Sequence, residues 1–170
     1  MTEEFPAWLL RIYRCVYSFP KKVLAFRIID RTAVILASVV FAASVYFAFC
    51  RGIIEAVKLV VLAAVPFVLV SAVRFLIKSK RPYEVIDFAE FSSKPPHYKL
   101  GSSFPSRHVF SAFLIAILAF EYRWYLGVIA LDLGASLAVI RVILGIHYPK
   151  DVICGAIIGI ISGLVGMLIL

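Results

Sequence analysis

Four apolar runs, residues 32–50, 53–77, 124–144 and 148–170, are each long enough to cross a bilayer as a helix, given about 30 Å of hydrocarbon and 1.5 Å per residue. A fifth, 104–120, is marginal at 17 residues. Runs of this kind leave few options, because backbone polar groups in lipid must bond within their own segment. Composition agrees. Of 170 residues, 63% are hydrophobic and 16% charged, well above the roughly 45–50% apolar content of soluble domains. A cytosolic enzyme, a disordered chain and a coiled coil are thereby excluded. The expected fold is all-α and integral to the membrane. It is a single domain over 1–170, with five transmembrane helices in a bundle, or six if the N-terminal stretch also crosses.

That N-terminal stretch differs from the rest. Trp8, Leu9, Ile12, Val16 and Phe19 fall near one helical face, Arg11, Arg14 and Ser18 fall on another, and Pro20, Lys21 and Lys22 break the run. The pattern predicts an amphipathic interfacial helix within residues 1–30. No cleavable leader is expected, since Glu3 and Glu4 precede Arg11 and Arg14. Cys15, Cys50 and Cys154 are scattered and suggest neither a zinc site nor a disulfide framework. The net charge is +8, from 18 Lys+Arg against 10 Asp+Glu. With so little polar surface, anionic headgroups or phosphorylated lipids suit that charge better than nucleic acid, which is not expected as a partner.

Charges at the ends of spans are costly and need a reason. The second run ends in Arg74, followed by Arg81-Pro82; the third opens with Pro105-Ser106-Arg107-His108; the fourth closes at Arg141; the fifth opens at His147, Pro149 and Asp151. Counting hairpins puts all of these on one side of the bilayer. Singly, each has an ordinary explanation: an arginine snorkels, a histidine caps a helix, an aspartate offsets a dipole. Together they form an anion site. Arginine forks match phosphate oxygens. Pro105 suits a first helical turn, which would leave backbone N–H groups near Ser106, Arg107 and His108 to hold an anion. His147 and Asp151 are four apart, so the carboxylate can fold back on the imidazole and raise the basicity of its other nitrogen. No carboxylate and histidine set with metal-ligand spacing occurs at this face, so no metal or other cofactor is expected.

Three further features are read as structural or left open. Gly155, Gly159 and Gly163 form a stripe for close helix packing. Glu55 and Lys58, with Asp132, are read as a structural ion pair away from the motifs. The polar connection 78–103 is long enough to be functional.

The series Arg74-x6-Arg81-Pro82, Pro105-Ser106-Arg107-His108 and Arg141-x5-His147-x3-Asp151 resembles the three-part signature of the type 2 phosphatidic acid phosphatase (PAP2) superfamily, K-x6-R-P, P-S-G-H and S-R-x5-H-x3-D. The likeness is to its small membrane-bound lipid phosphatase branch and extends over the core, 53–170. It implies metal-independent hydrolysis of a lipid phosphate through a phosphohistidine. His147 would be the nucleophile, Asp151 its orienting carboxylate and His108 the general acid. Arg74, Arg81, Arg141 and Ser106, with the N–H groups of Arg107 and His108, would hold the phosphate. Arg74 stands where lysine is usual, Arg107 where glycine is usual and Ile140 where serine is usual. The extra cation at Arg107 would favour a second phosphate. The expected substrate is a polyprenyl carrier such as undecaprenyl diphosphate, with phosphatidic acid, phosphatidylglycerophosphate and lipid A open. A lipid phosphotransferase and a non-enzymatic lipid or anion transporter are the alternatives. The basic N-terminus argues for a cytoplasmic site by the positive-inside rule. Bacterial relatives face outward, and that orientation is the one expected here.

Overall fold

A computed structural model describes residues 6–86 and 102–170. Their regular structure is helical: α1 (Ala7–Tyr17), α2 (Pro20–Arg51), α3 (Ile53–Ile77), the single turn α4 (Pro82–Val85), α5 (Arg107–Phe120), α6 (Trp124–Ile143) and α7 (Pro149–Met167). Four helices, α2, α3, α6 and α7, are long and apolar enough to span a membrane, and α5 is a shorter apolar helix among them. Lipid is the solvent for their outer faces. Along α3, Ile53, Val57, Val65, Phe75 and Leu76 all stand exposed, which only a hydrocarbon surround makes favourable.

The fourteen residues of α5 reach about 21 Å, short of a full crossing. The helix needs no more because protein surrounds it. Val109, Phe110, Ala112, Leu114, Ala116 and Leu118 are buried, and they take up about two thirds of the helix circumference. Its tightest neighbour is α7, through the predicted glycine stripe. A Cβ at Gly155 would meet the Ser106 carbonyl at 2.7 Å, and one at Gly159 the Phe110 carbonyl at 2.5 Å. Only glycine lets the two backbones approach so closely.

Two expectations need correction. The first concerns the N-terminal run, expected to break over Pro20, Lys21 and Lys22. It breaks at Ser18–Phe19, and Pro20 opens α2 at its first helical position instead of ending α1. Proline fits there because its missing N–H would be unpaired anyway. At 32 residues α2 is about 48 Å long, more than the roughly 30 Å one crossing needs, and Lys21, Lys22, Arg27, Asp30 and Arg31 collect toward its start. The apolar face of α1 is also different: Leu9, Tyr13, Val16 and Tyr17 are buried, while Trp8 and Phe19 are exposed. The buried set packs on Ile140, Leu144 and Ile146, and the Tyr17 hydroxyl donates to the Leu144 carbonyl at 2.9 Å. Helix α1 thus braces the α6–α7 loop.

The second correction concerns Pro105. It precedes the first turn of α5, which begins at Arg107 with Ser106 at the N-cap position and no side-chain cap bond. Nor is the Ser106 N–H available to an anion, since it donates to the Asp151 carbonyl at 3.0 Å. Of the connection 78–103, most lies outside the described residues. Its two ends are clipped together: Ser103 N–H donates to the Ser79 carbonyl at 2.8 Å and Phe104 N–H to the Ser79 hydroxyl at 2.7 Å. Lys58 pairs with Glu55 at 3.0 Å as expected, whereas Asp132 makes no ion pair among the described residues.

Candidate active site

The hairpin count is realised at one end of the bundle. A cavity of about 260 Å³ is lined by Arg74 from α3, Arg81 beyond it, Arg107 and His108 from α5, Arg141 from α6 and His147 from the α6–α7 loop. Ser106 and Asp151 are fully buried behind this wall. Helix α2 adds Asp30 and Arg31, neither of which carried a motif. Among the described residues, five guanidinium groups therefore line one space together with a single carboxylate.

His147 is 1% exposed. Its Nδ1 lies 3.6 Å from Asp151 Oδ2 and 3.4 Å from the Ser103 hydroxyl, which itself donates to Asp151 Oδ2 at 2.5 Å. Tyr148 N–H donates to the same oxygen at 3.0 Å. The serine sits between ring and carboxylate, so the ring's hydrogen is drawn to Nδ1 and the Nε2 lone pair is left uncommitted. Burial pushes the His147 pKa down to about 4, aided by the charges of Arg81 and Arg141 and opposed by its bond to Asp151. The imidazole is neutral at neutral pH, the state a nucleophile requires. Ser103 was not anticipated from sequence. It stands in a serine pair at the close of a polar loop, and nothing local marks it.

His108 is held from the opposite charge. Arg141 Nη1 lies 2.9 Å from its Nδ1. A guanidinium only donates, so Nδ1 accepts, and the ring is neutral with its hydrogen on Nε2. Arg141 is anchored on its other edge by Asp30, with Nε 2.9 Å from Oδ1 and Nη2 3.1 Å from Oδ2. Arg74 Nη1 donates to the Pro105 carbonyl at 3.2 Å, tying the strap before α5 to α3.

Other polar groups of the wall are underused. Ser106 Oγ and Arg81 Nε are buried with no hydrogen-bond partner among the described residues. The amides of Arg107 and His108 are the first two of α5 and have no carbonyl within their helix to bond. Leaving a buried polar group unpaired costs about 1–3 kcal/mol, so an acceptor-rich anion is the ligand that completes this wall.

A sequence model of the PAP2 superfamily matches residues 55–170. The chain belongs to this superfamily. The PAP2 fold is also recovered in three dimensions. LpxE of Aquifex aeolicus aligns with a TM-score of 0.67 at 23% identity over 99% of each chain. The PAP2-type phosphatidylglycerolphosphate phosphatase of Bacillus subtilis aligns with a TM-score of 0.64 at 17% identity, over 96% of this chain and 87% of that one. A 67-residue stretch is 36% identical to the bacitracin transport permease protein BcrC of Bacillus licheniformis, covering 39% of this chain. That match spans 33% of BcrC's own length. Asp30 and Arg31 lie outside the residues that define PAP2 membership, yet they line the same cavity.

Proposed function

We propose that this protein is a multi-pass membrane phosphatase that hydrolyses a lipid phosphate or diphosphate through a phosphohistidine on His147. The observation that carries the reading is the unpartnered Ser106 hydroxyl, buried beside five arginines and two neutral histidines. In the first step His147 Nε2 bonds to phosphorus and the bond to the leaving oxygen breaks. His108 directs its Nε2–H at that oxygen. The cationic ring that forms at His147 is stabilised through Ser103 and Asp151. Arg74, Arg81, Arg141, Ser106 and the amides of Arg107 and His108 hold the equatorial oxygens, so catalysis is positioning plus electrostatics. Water then bonds to phosphorus, the P–N bond breaks, and the water hydrogens end on the released phosphate when a lipid phosphate leaves, or one on phosphate and one on the lipid oxygen when an alcohol leaves. The arginines neutralise charge that a metal would otherwise meet, so turnover is expected without one.

A polyprenyl diphosphate such as undecaprenyl diphosphate is the favoured substrate. Arg31 and Arg107 line the cavity beyond the signature arginines and suit a second phosphate; equal mono- and diphosphate turnover by Arg107→Gly and the parent would remove this support. The outward orientation is kept as part of the proposal. Arg31, Arg74, Arg81, Arg107 and Arg141 serve the cavity, so they do not count as topology signals. Exposed Cys15 lies at the site end and exposed Cys50 at the far end of α2. A membrane-impermeant maleimide applied to intact cells is expected to label Cys15 and spare Cys50.

The function itself is tested by phosphate release from purified protein in detergent with EDTA, offering undecaprenyl diphosphate, phosphatidic acid and phosphatidylglycerophosphate, with His147→Ala alongside. Release that survives EDTA and vanishes in the variant is expected. Transfer to a second lipid without release would favour a phosphotransferase. Transport in the name of the Bacillus licheniformis relative supplies the other reading, which predicts phosphate binding without turnover.

A further inference from the structure

Asp30 is 5% exposed and sits on α2, outside every signature motif. A carboxylate this deep is tolerated only when paired. Its pairing is directional: Oδ2 accepts from Arg141 Nη2 at 3.1 Å, and Oδ1 stands 2.9 Å from Nε as an ion pair. A guanidinium clamped along that edge has its orientation fixed, and the remaining corner, Nη1, then points at His108 Nδ1. The chain Asp30–Arg141–His108 runs across three helices, α2, α6 and α5.

We infer that Asp30 is a positioning residue which, through Arg141, holds His108 as a neutral Nε2–H donor and so fits the site to leaving groups that depart as stable anions, namely the monophosphate end of a lipid diphosphate. This rests on the phosphatase reading and deepens it. A neutral imidazole can give a hydrogen bond to a leaving oxygen, but it cannot surrender its only proton without becoming an imidazolate. Cleavage of a diphosphate needs no such proton: His147 Nε2 bonds to the terminal phosphorus, the bridging P–O electrons stay on oxygen, and the lipid monophosphate leaves as an anion. That oxygen has a pKa of about 6. An alkoxide leaving from a monophosphate is far more basic and needs a proton to depart.

The experiment measures phosphate release from farnesyl diphosphate and farnesyl phosphate by wild type, Asp30→Asn and Asp30→Glu. Wild type is expected to prefer the diphosphate by about 10²-fold or more, since a donor that cannot protonate forfeits most of general acid catalysis. Asp30→Asn is expected to narrow that ratio by about 10-fold, and Asp30→Glu to restore part of it; a charge-assisted contact of this kind carries such a factor. Loss of stability alone would lower both rates together and leave the ratio unchanged, and that outcome overturns the inference. So does a wild type that turns over both substrates equally. Release from neither substrate by folded protein would remove the phosphatase reading itself. Because Asp30→Asn leaves Arg141 uncompensated and risks misfolding, ¹⁵N-histidine spectra of the wild type at neutral pH supply a second measure. His108, assigned by its loss in His108→Ala, is expected as one neutral tautomer with hydrogen on Nε2. Hydrogen on Nδ1 would overturn the clamp.

Discussion

Two histidines flank one cavity and are gripped at the same atom by opposite charges. On the α7 side, Nδ1 of His147 faces Ser103 and Asp151, groups that accept its hydrogen. On the α5 side, Nδ1 of His108 faces Arg141, which can only give one. The consequence is reversed at Nε2: a lone pair on the first ring, a hydrogen on the second. One side chain type therefore supplies both an electron-pair donor and a hydrogen-bond donor, and the difference lies wholly in the neighbours.

The comparison is broken most severely at His147. His147→Ala is expected to lose at least ~10³-fold in phosphate release, with no phosphoenzyme trapped, since losing a nucleophile removes the reaction path and not merely its stabilisation. A variant that still turned over would make the lone pair irrelevant. His108→Ala removes one donor and keeps the nucleophile. A loss of roughly 10²–10³-fold, with the phosphoenzyme still formed slowly, is expected by analogy with the removal of one oxyanion donor. If the two variants failed identically, the rings would not have separate roles.

Much of the frame could be read before the structure. Hairpin parity placed Arg74, Arg81, His108, Arg141 and His147 at one end, because span number alone decides which loops share a face. The four-residue step from His147 to Asp151 was legible for the same local reason. What escaped were groups brought in by tertiary contact. Asp30 stands just before the run that begins at Thr32 and belongs to no motif; only the helix that continues through it brings it to the cavity. Ser103 joins His147 to Asp151 only because Ser79 folds the strap back. Pro105 is compatible with a helix start, but that says nothing of where the helix begins, which is at Arg107.

Ser103 sharpens the comparison more gently. Ser103→Ala removes the hydroxyl between His147 and Asp151 and leaves both residues in place. With a hydrogen bond to a charged group worth about 1.5–3 kcal/mol, phosphate release is expected to fall by roughly 10–100-fold. An unchanged rate would mean that the 3.6 Å contact between ring and carboxylate suffices by itself.

The mildest test perturbs nothing but pH. His147 holds its proton in the folded protein only near pH 4, against 6.5 for the unmodified ring. Between those values the unfolded chain binds a proton that the native state refuses, so this group makes stability fall as pH drops from about 6.5 toward 4, and adds no further loss below. ¹⁵N titration of His147 should accordingly show a midpoint near 4. In Asp151→Asn, which removes the carboxylate that pulls the value upward, the midpoint should move lower still. A midpoint at or above 6.5 in the wild type would mean that water reaches the ring. Nε2 would then be protonated through much of the neutral range, and the asymmetry between the two histidines would lose its chemical meaning.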